Sequence, residues 1–102
     1  MTRNLKNPSV DKLFEAILQL RSLEECYAFF DDLCTVAELR AMSQRMDVAR
    51  LLAQGKTYLE IGEASGASTA TISRVNRFYQ YGSDGYKLVL KRLGQPGDTS
   101  HD

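Results

Sequence analysis

One four-residue signal occurs three times in this chain: Ser22-x-x-Glu25, Thr35-x-x-Glu38 and Thr57-x-x-Glu60. It is the pattern of a capping box. The Ser or Thr oxygen accepts from the backbone N–H three residues on, and the Glu carboxylate reaches back to the N–H of the cap. Each signal precedes apolar residues at the i, i+3, i+4 spacing of one helix face. No stretch alternates with the two-residue period of a strand. The chain is therefore committed to an all-α fold.

The spacing predicts six helices. The first runs from Val10 to Leu20 behind a Pro8-Ser9 start signal, with Val10, Leu13, Phe14, Ile17, Leu18 and Leu20 apolar. The second follows Ser22 and carries Leu23, Cys26, Tyr27 and Phe30, widened by Phe29 and Leu33. The third spans Val36 to Gln54 and stops at Gly55. Leu39, Met42, Met46, Ala49 and Leu52 form one stripe, and Val48 and Leu51 a second edge. A helix apolar on more than one side reads as the spine of a bundle. The fourth is short, Tyr58 to Ala64, and the fifth begins at Ser68 or Thr69 with Ile72, Val75 and Tyr79 facing inward. The sixth runs from Asp84 or Gly85 to Leu93 and packs through Tyr86, Val89, Leu90 and Leu93, with Gly94-Gln95-Pro96-Gly97 as its stop. The expected organisation is a flexible N-terminus over 1–9, a single helical domain over 10–94, and a polar tail over 95–102.

At 102 residues the chain is one domain, small enough for a core shared between two copies to help. Phe14, Tyr27, Phe29, Phe30, Phe78, Tyr79, Tyr81 and Tyr86 are many aromatics for so small a monomer, and they point to a homodimer. No apolar run reaches the roughly 18 residues of a membrane span, and the N-terminus has no apolar signal-peptide core. A cytoplasmic protein with no membrane partner is expected. Cys26 and Cys34 have no metal-binding spacing and read as buried thiols, and the single histidine, His101, lies in the tail. No metal and no cofactor is expected. No enzyme is expected either, since no Ser/His/Asp or Cys/His set and no phosphate-binding glycine loop is present, and Asp31-Asp32 reads as a solvated pair.

The stretch from Lys56 to Tyr81 joins two short helices through Ser65-Gly66-Ala67. That is the layout of a helix-turn-helix, over about 57–80, which sets its second helix in a DNA major groove. Gly66 supplies the positive φ of the turn. Gly62 and Ala64 are expected where the two helices approach closely, and Ile61, Ile72 and Val75 lock them together. The outward face of the second helix is then Ser68, Thr69, Ala70, Thr71, Ser73, Arg74, Asn76 and Arg77. Short polar side chains lead and cations follow, which suits base edges and phosphates. The formal net charge of zero argues against a strongly basic DNA binder, but its distribution is uneven. Residues 35–92 hold nine basic side chains against five acidic ones.

Residues 35–92 resemble the tryptophan repressor family, in its tryptophan-repressor-related branch. TVAELRAM (Thr35 to Met42), RMDVARLLAQGK (Arg45 to Lys56) and GASTATISR (Gly66 to Arg74) carry the resemblance. Residues 1–34 match only in helical pattern. The resemblance implies a six-helix tryptophan-repressor-like fold in an intertwined homodimer, with the helix-turn-helix as fourth and fifth helices. It implies a transcriptional regulator, a repressor, bound to palindromic double-stranded DNA. It implies that Thr69, Ala70 and Ser73 face bases and Thr71 a phosphate. A dimeric protein-interaction module that keeps the helix-turn-helix only as scaffold is the alternative.

The resemblance also implies a small-ligand pocket holding tryptophan's polar groups, whose matching residues here are Thr35, Arg45 and Arg74. Two positions depart from the family. Val75 stands where the family has glycine, and Phe78 where it has serine. Both put apolar bulk where an indole would lie, so no response to tryptophan is expected. Whether another small-molecule effector binds is left open by the sequence.

Overall fold

The computed structural model describes residues 4–94. The expectations for residues 1–3, for the tail 95–102 with His101, and for the stop signal beyond Gly94 lie outside the described residues. Six helices follow one another: α1 Pro8–Ile17, α2 Leu23–Leu33, α3 Val36–Ala53, α4 Tyr58–Ser65, α5 Thr69–Tyr81 and α6 Gly85–Arg92. No strand occurs among the described residues. They form two compact units, one ending at Leu39 and the other beginning at Arg40.

In the first unit, the Asn7 side chain caps α1 by accepting from the Val10 N–H at 2.9 Å, and Pro8 occupies the first turn, where its missing N–H costs nothing. The helix stops at Ile17, three residues before the expected end. Gln19 and Leu20 donate to Ala16 and Ile17, three residues back, and this tight turn takes up the apolar residues that had lengthened the pattern. Ser22 caps α2, accepting from Glu25 N–H at 3.1 Å. The Glu25 carboxylate accepts instead from Arg21 N–H at 2.8 Å, one residue before the cap, so the expected box is offset. Thr35 and Glu38 form the full reciprocal box at the start of α3, at 3.0 and 2.8 Å. Neither α1 nor α2 contains a buried residue. Cys26 and Cys34 are free thiols, half-buried rather than buried.

The core belongs to the second unit. Val48 and Ala49 of α3, Ile61 of α4, Ala67 of the turn, and Ile72 and Val75 of α5 form one buried cluster, with Leu51, Leu52 and Tyr86 packed against it. The end of α3 is fixed by Gly55 at φ 80°, with Gly55 N–H on Leu52 O and Lys56 N–H on Leu51 O, the paired bonds of a Schellman motif. The third helix is a spine only in its C-terminal half: Val48 and Ala49 are its buried residues, while Met42 of the expected stripe is exposed. The sixth helix packs through Leu90 and, in part, Tyr86, whereas Val89 and Leu93 face outward. Lys87 adds a cation–π contact, its Nζ 5.3 Å from the Tyr79 ring centre.

Candidate nucleic-acid interface

The site is built from α4, the turn and α5. Thr57 and Glu60 open α4 with a complete capping box: Glu60 N–H donates to Thr57 Oγ1 at 3.1 Å, and Thr57 N–H to Glu60 Oε1 at 2.9 Å. Accepting the backbone N–H of Thr57 holds the Glu60 carboxyl below the usual carboxylate range, and Thr35 does the same for Glu38. Gly66 ends the helix at φ 73°, its N–H on Gly62 O at 2.9 Å.

Two residues at this turn carry bonds that the sequence reading did not assign. Ser65 Oγ donates to Ile61 O at 2.6 Å and accepts from Ala67 N–H at 3.1 Å, so one hydroxyl ties the last turn of α4 to the start of the connection. A serine two residues before an N–H that leaves a helix is a known local pattern, and it is the signal that was available. Gln44 Nε2 donates to Ser65 O at 3.3 Å from α3, and no sequence signal marks it. The expectation for Gly62 and Ala64 needs correction. A Cβ built on Gly62 would lie 3.6 Å from Ala67 O and 3.9 Å from Ile72 Cδ1, an ordinary contact, and Ala64 is exposed. Gly62 does lie where α4 meets the turn and α5, but a methyl group fits there, so the approach does not require a glycine.

Ser68 caps α5, its Oγ accepting from Thr71 N–H at 3.1 Å and donating to Thr71 Oγ1 at 3.2 Å. Ile72, Val75 and Tyr79 are buried. At about 100° per residue, the side opposite them holds Ala70, Ser73, Arg74 and Arg77. All four are exposed, as are Ser68 and Thr69 at the helix start, while Thr71 is half-buried on the flank. Seven of the expected interface residues thus share one helix end and its outward face. Neither Arg74 nor Arg77 has a hydrogen bond or ion pair among the described residues. Asn76 departs from the expectation. It is half-buried, its Nδ2 donating to Tyr58 Oη at 3.1 Å and its Oδ1 accepting from Gln80 Nε2 at 3.4 Å.

The three ligand-holding residues implied by the resemblance have different surroundings. Thr35 Oγ1 accepts from Glu38 N–H and Thr35 N–H donates to Glu38 Oε1, so both belong to the box that opens α3. Arg45 and Arg74 are exposed. Val75, expected to close the pocket, is 2% exposed within the core cluster, and Phe78 is half-buried.

An α4–turn–α5 unit locked by an apolar cluster, with short side chains and free guanidiniums facing out, defines a helix-turn-helix protein. The chain belongs to the Trp repressor family, whose profile (Trp repressor protein) it matches over residues 8–94. It is 53% identical over 89 residues to YerC, an uncharacterized protein of Bacillus subtilis (strain 168), covering 87% of this chain and 86% of that one. Two solved structures are similar, each 54% identical. A Trp repressor candidate from Staphylococcus aureus superposes with a TM-score of 0.86 over 89% of this chain and 91% of that one. A TrpR-like protein from Eubacterium eligens does so with 0.87 over 90% and 95%. No helix among the described residues is long and apolar enough to cross a membrane.

Proposed function

We propose that this chain is a sequence-specific DNA-binding regulator of transcription, a cytoplasmic repressor acting as a homodimer through its helix-turn-helix, with no need for tryptophan. The observation that carries this reading is the open face of α5. Ser68, Thr69, Ala70 and Ser73 leave room for the helix end to approach base edges, where methyl groups and hydroxyls read thymine methyls and polar edges. Arg74 and Arg77 stand behind them with uncommitted guanidiniums suited to phosphates. The N-terminal end of α5 adds its own preference for anions.

Dimerisation is supported by what the first unit leaves uncovered. Leu18, just after α1, and Leu23 and Tyr27 of α2 are each more than 70% exposed, and neither helix has a buried residue. Independence from tryptophan is supported by Val75, a core residue in contact with the cluster that anchors α5.

Selection of random duplexes by the purified protein, at near-physiological salt and without ligand, tests the reading. A palindrome with half-sites about one helical turn apart is expected. No enrichment, with or without added amino acids, favours the interaction module instead. On the selected duplex, Arg74→Ala and Arg77→Ala each weaken binding and lower the salt dependence by about one counterion, with melting unchanged. Unchanged affinity in both variants rejects this orientation of α5. Saturable heat on titrating tryptophan rejects the closed pocket.

A further inference from the structure

A second polar group lies beside the interface, on α4 rather than α5. Tyr58 is the first residue of α4 and stays partly exposed, at 39%. Its hydroxyl oxygen accepts from Asn76 Nδ2 at 3.1 Å, across a separation of 18 residues. Gln80 Nε2 donates in turn to Asn76 Oδ1 at 3.4 Å, which turns the Asn76 amide so that its NH2 faces the phenol. The three groups form a chain with one direction, Gln80 to Asn76 to Tyr58. Each amide gives one N–H to the next acceptor, and the chain ends on the phenol. The phenolic proton of Tyr58 has no acceptor among the described residues, and a hydroxyl that already accepts a hydrogen bond donates more strongly.

The position of this proton matters. Thr69, Ser73, Asn76 and Gln80 follow the i, i+4, i+7 and i+11 spacing of one helical stripe. Asn76 therefore continues the edge of the face that Thr69 and Ser73 begin, and Tyr58 stands at that edge. In a helix-turn-helix the first helix crosses the DNA backbone while the second enters the groove. Phosphate oxygens are the acceptors found there, and tyrosine is among their usual donors.

We infer that Tyr58 is a phosphate-binding residue of the DNA interface, its hydroxyl held by Asn76 so that its proton reaches a phosphate oxygen beside the groove that α5 enters. This rests on the DNA-binding reading above. Asn76 is its positioning residue and touches no DNA itself.

The test uses the full chain and the duplex recovered by selection. Tyr58→Phe keeps the ring and removes only the hydroxyl. About tenfold weaker binding is expected, as for one hydrogen bond to a charged partner. The loss is the same on a scrambled duplex, since phosphates carry no sequence. Asn76→Ala gives a smaller loss, and combining the two adds nothing to Tyr58→Phe. The deciding measurement is a scan in which single phosphates are replaced by uncharged methylphosphonates. One linkage in each half-site should weaken the wild type and leave Tyr58→Phe unaffected. Equal affinity of wild type and Tyr58→Phe overturns the inference. So does a weakened Tyr58→Phe with the wild-type scan, which makes the hydroxyl a structural group only. In both cases wild-type DNA binding stands. If the wild type binds no duplex, the DNA-binding reading fails and takes this inference with it.

Discussion

Gly62 and Gly66 lie four residues apart on either side of the last turn of α4, and they do different work. Gly66 has φ 73°, a region closed to β-branched residues, yet a Cβ there would meet nothing within 4 Å. Its constraint is therefore conformational alone. Gly66→Val should cost about 1–2 kcal/mol or more, lower the melting temperature by several degrees, and weaken DNA binding. Gly62 has helical geometry and room for a methyl group. Gly62→Ala should raise stability by up to about 1 kcal/mol, through better helix propensity and a less mobile unfolded chain. Thermal melts of both variants check the pair, and a lower melting temperature for Gly62→Ala would show that the helices do need that glycine. The sequence revealed Gly66 because a tight turn between helices requires a residue free at positive φ. It located Gly62 at the approach of the two helices but not whether glycine is needed there, because a glycine inside a helix signals only the absence of a side chain. The distance to Ala67 and Ile72 decides whether anything needed that absence. Gln44 gives no such signal, since its bond depends on where the Ser65 carbonyl, 21 residues away, ends up, whereas the Ser65 hydroxyl bonds only locally, to Ile61 O and Ala67 N–H.

At the scale of the helix, starts were more legible than ends. Asn7, Ser22, Thr35, Thr57 and Ser68 all cap by side-chain bonds, and the Ser/Thr-x-x-Glu spacing located three of them. The end of α1 was missed because Leu18 and Leu20 keep the apolar composition while the backbone has already tightened. The two complete boxes also give the protein an acid sensitivity. Glu38 and Glu60 are held below the ordinary carboxylate range by the backbone N–H groups they accept. A carboxyl with a folded-state pKa below its unfolded value stabilises fully above the unfolded value. That contribution is lost as pH falls through the folded one. Melting temperature should therefore decline from neutral into acid pH, and the decline should be shallower in Glu60→Gln, which has no carboxylate to protonate. Thr57→Ala, which removes the hydroxyl cap, should cost about 1 kcal/mol at neutral pH. Melts over a pH series on the three proteins measure both effects. An acid limb identical in Glu60→Gln and wild type would place the sensitivity elsewhere.

For the whole molecule, the question is what covers the apolar residues that one chain leaves open. Periodicity identifies the apolar side of a helix but not its cover. For this reason the sixth helix looked packed through Val89 and Leu93, which are exposed, and the third looked central over its full length. In the first unit the discrepancy is complete, since α1 and α2 follow the helical pattern and bury no residue. Isolated helices of 10 and 11 residues are at best marginal in water, so their stability must come from packing. A second copy of the chain supplies it in the proposed homodimer. Folding and association are then linked, and the melting temperature should rise with protein concentration. Leu23 and Tyr27 lie one turn apart on α2, 78% and 72% exposed. Replacing both with lysine leaves a lone chain nearly unaffected but puts charge into the proposed contact. The double variant should sediment as a monomer, melt at a lower temperature with the concentration dependence lost, and bind the palindrome no better than a half-site. If the wild type sediments as a monomer at micromolar concentration, with a melting temperature independent of concentration, the first unit needs another partner and the paired recognition helices must be abandoned.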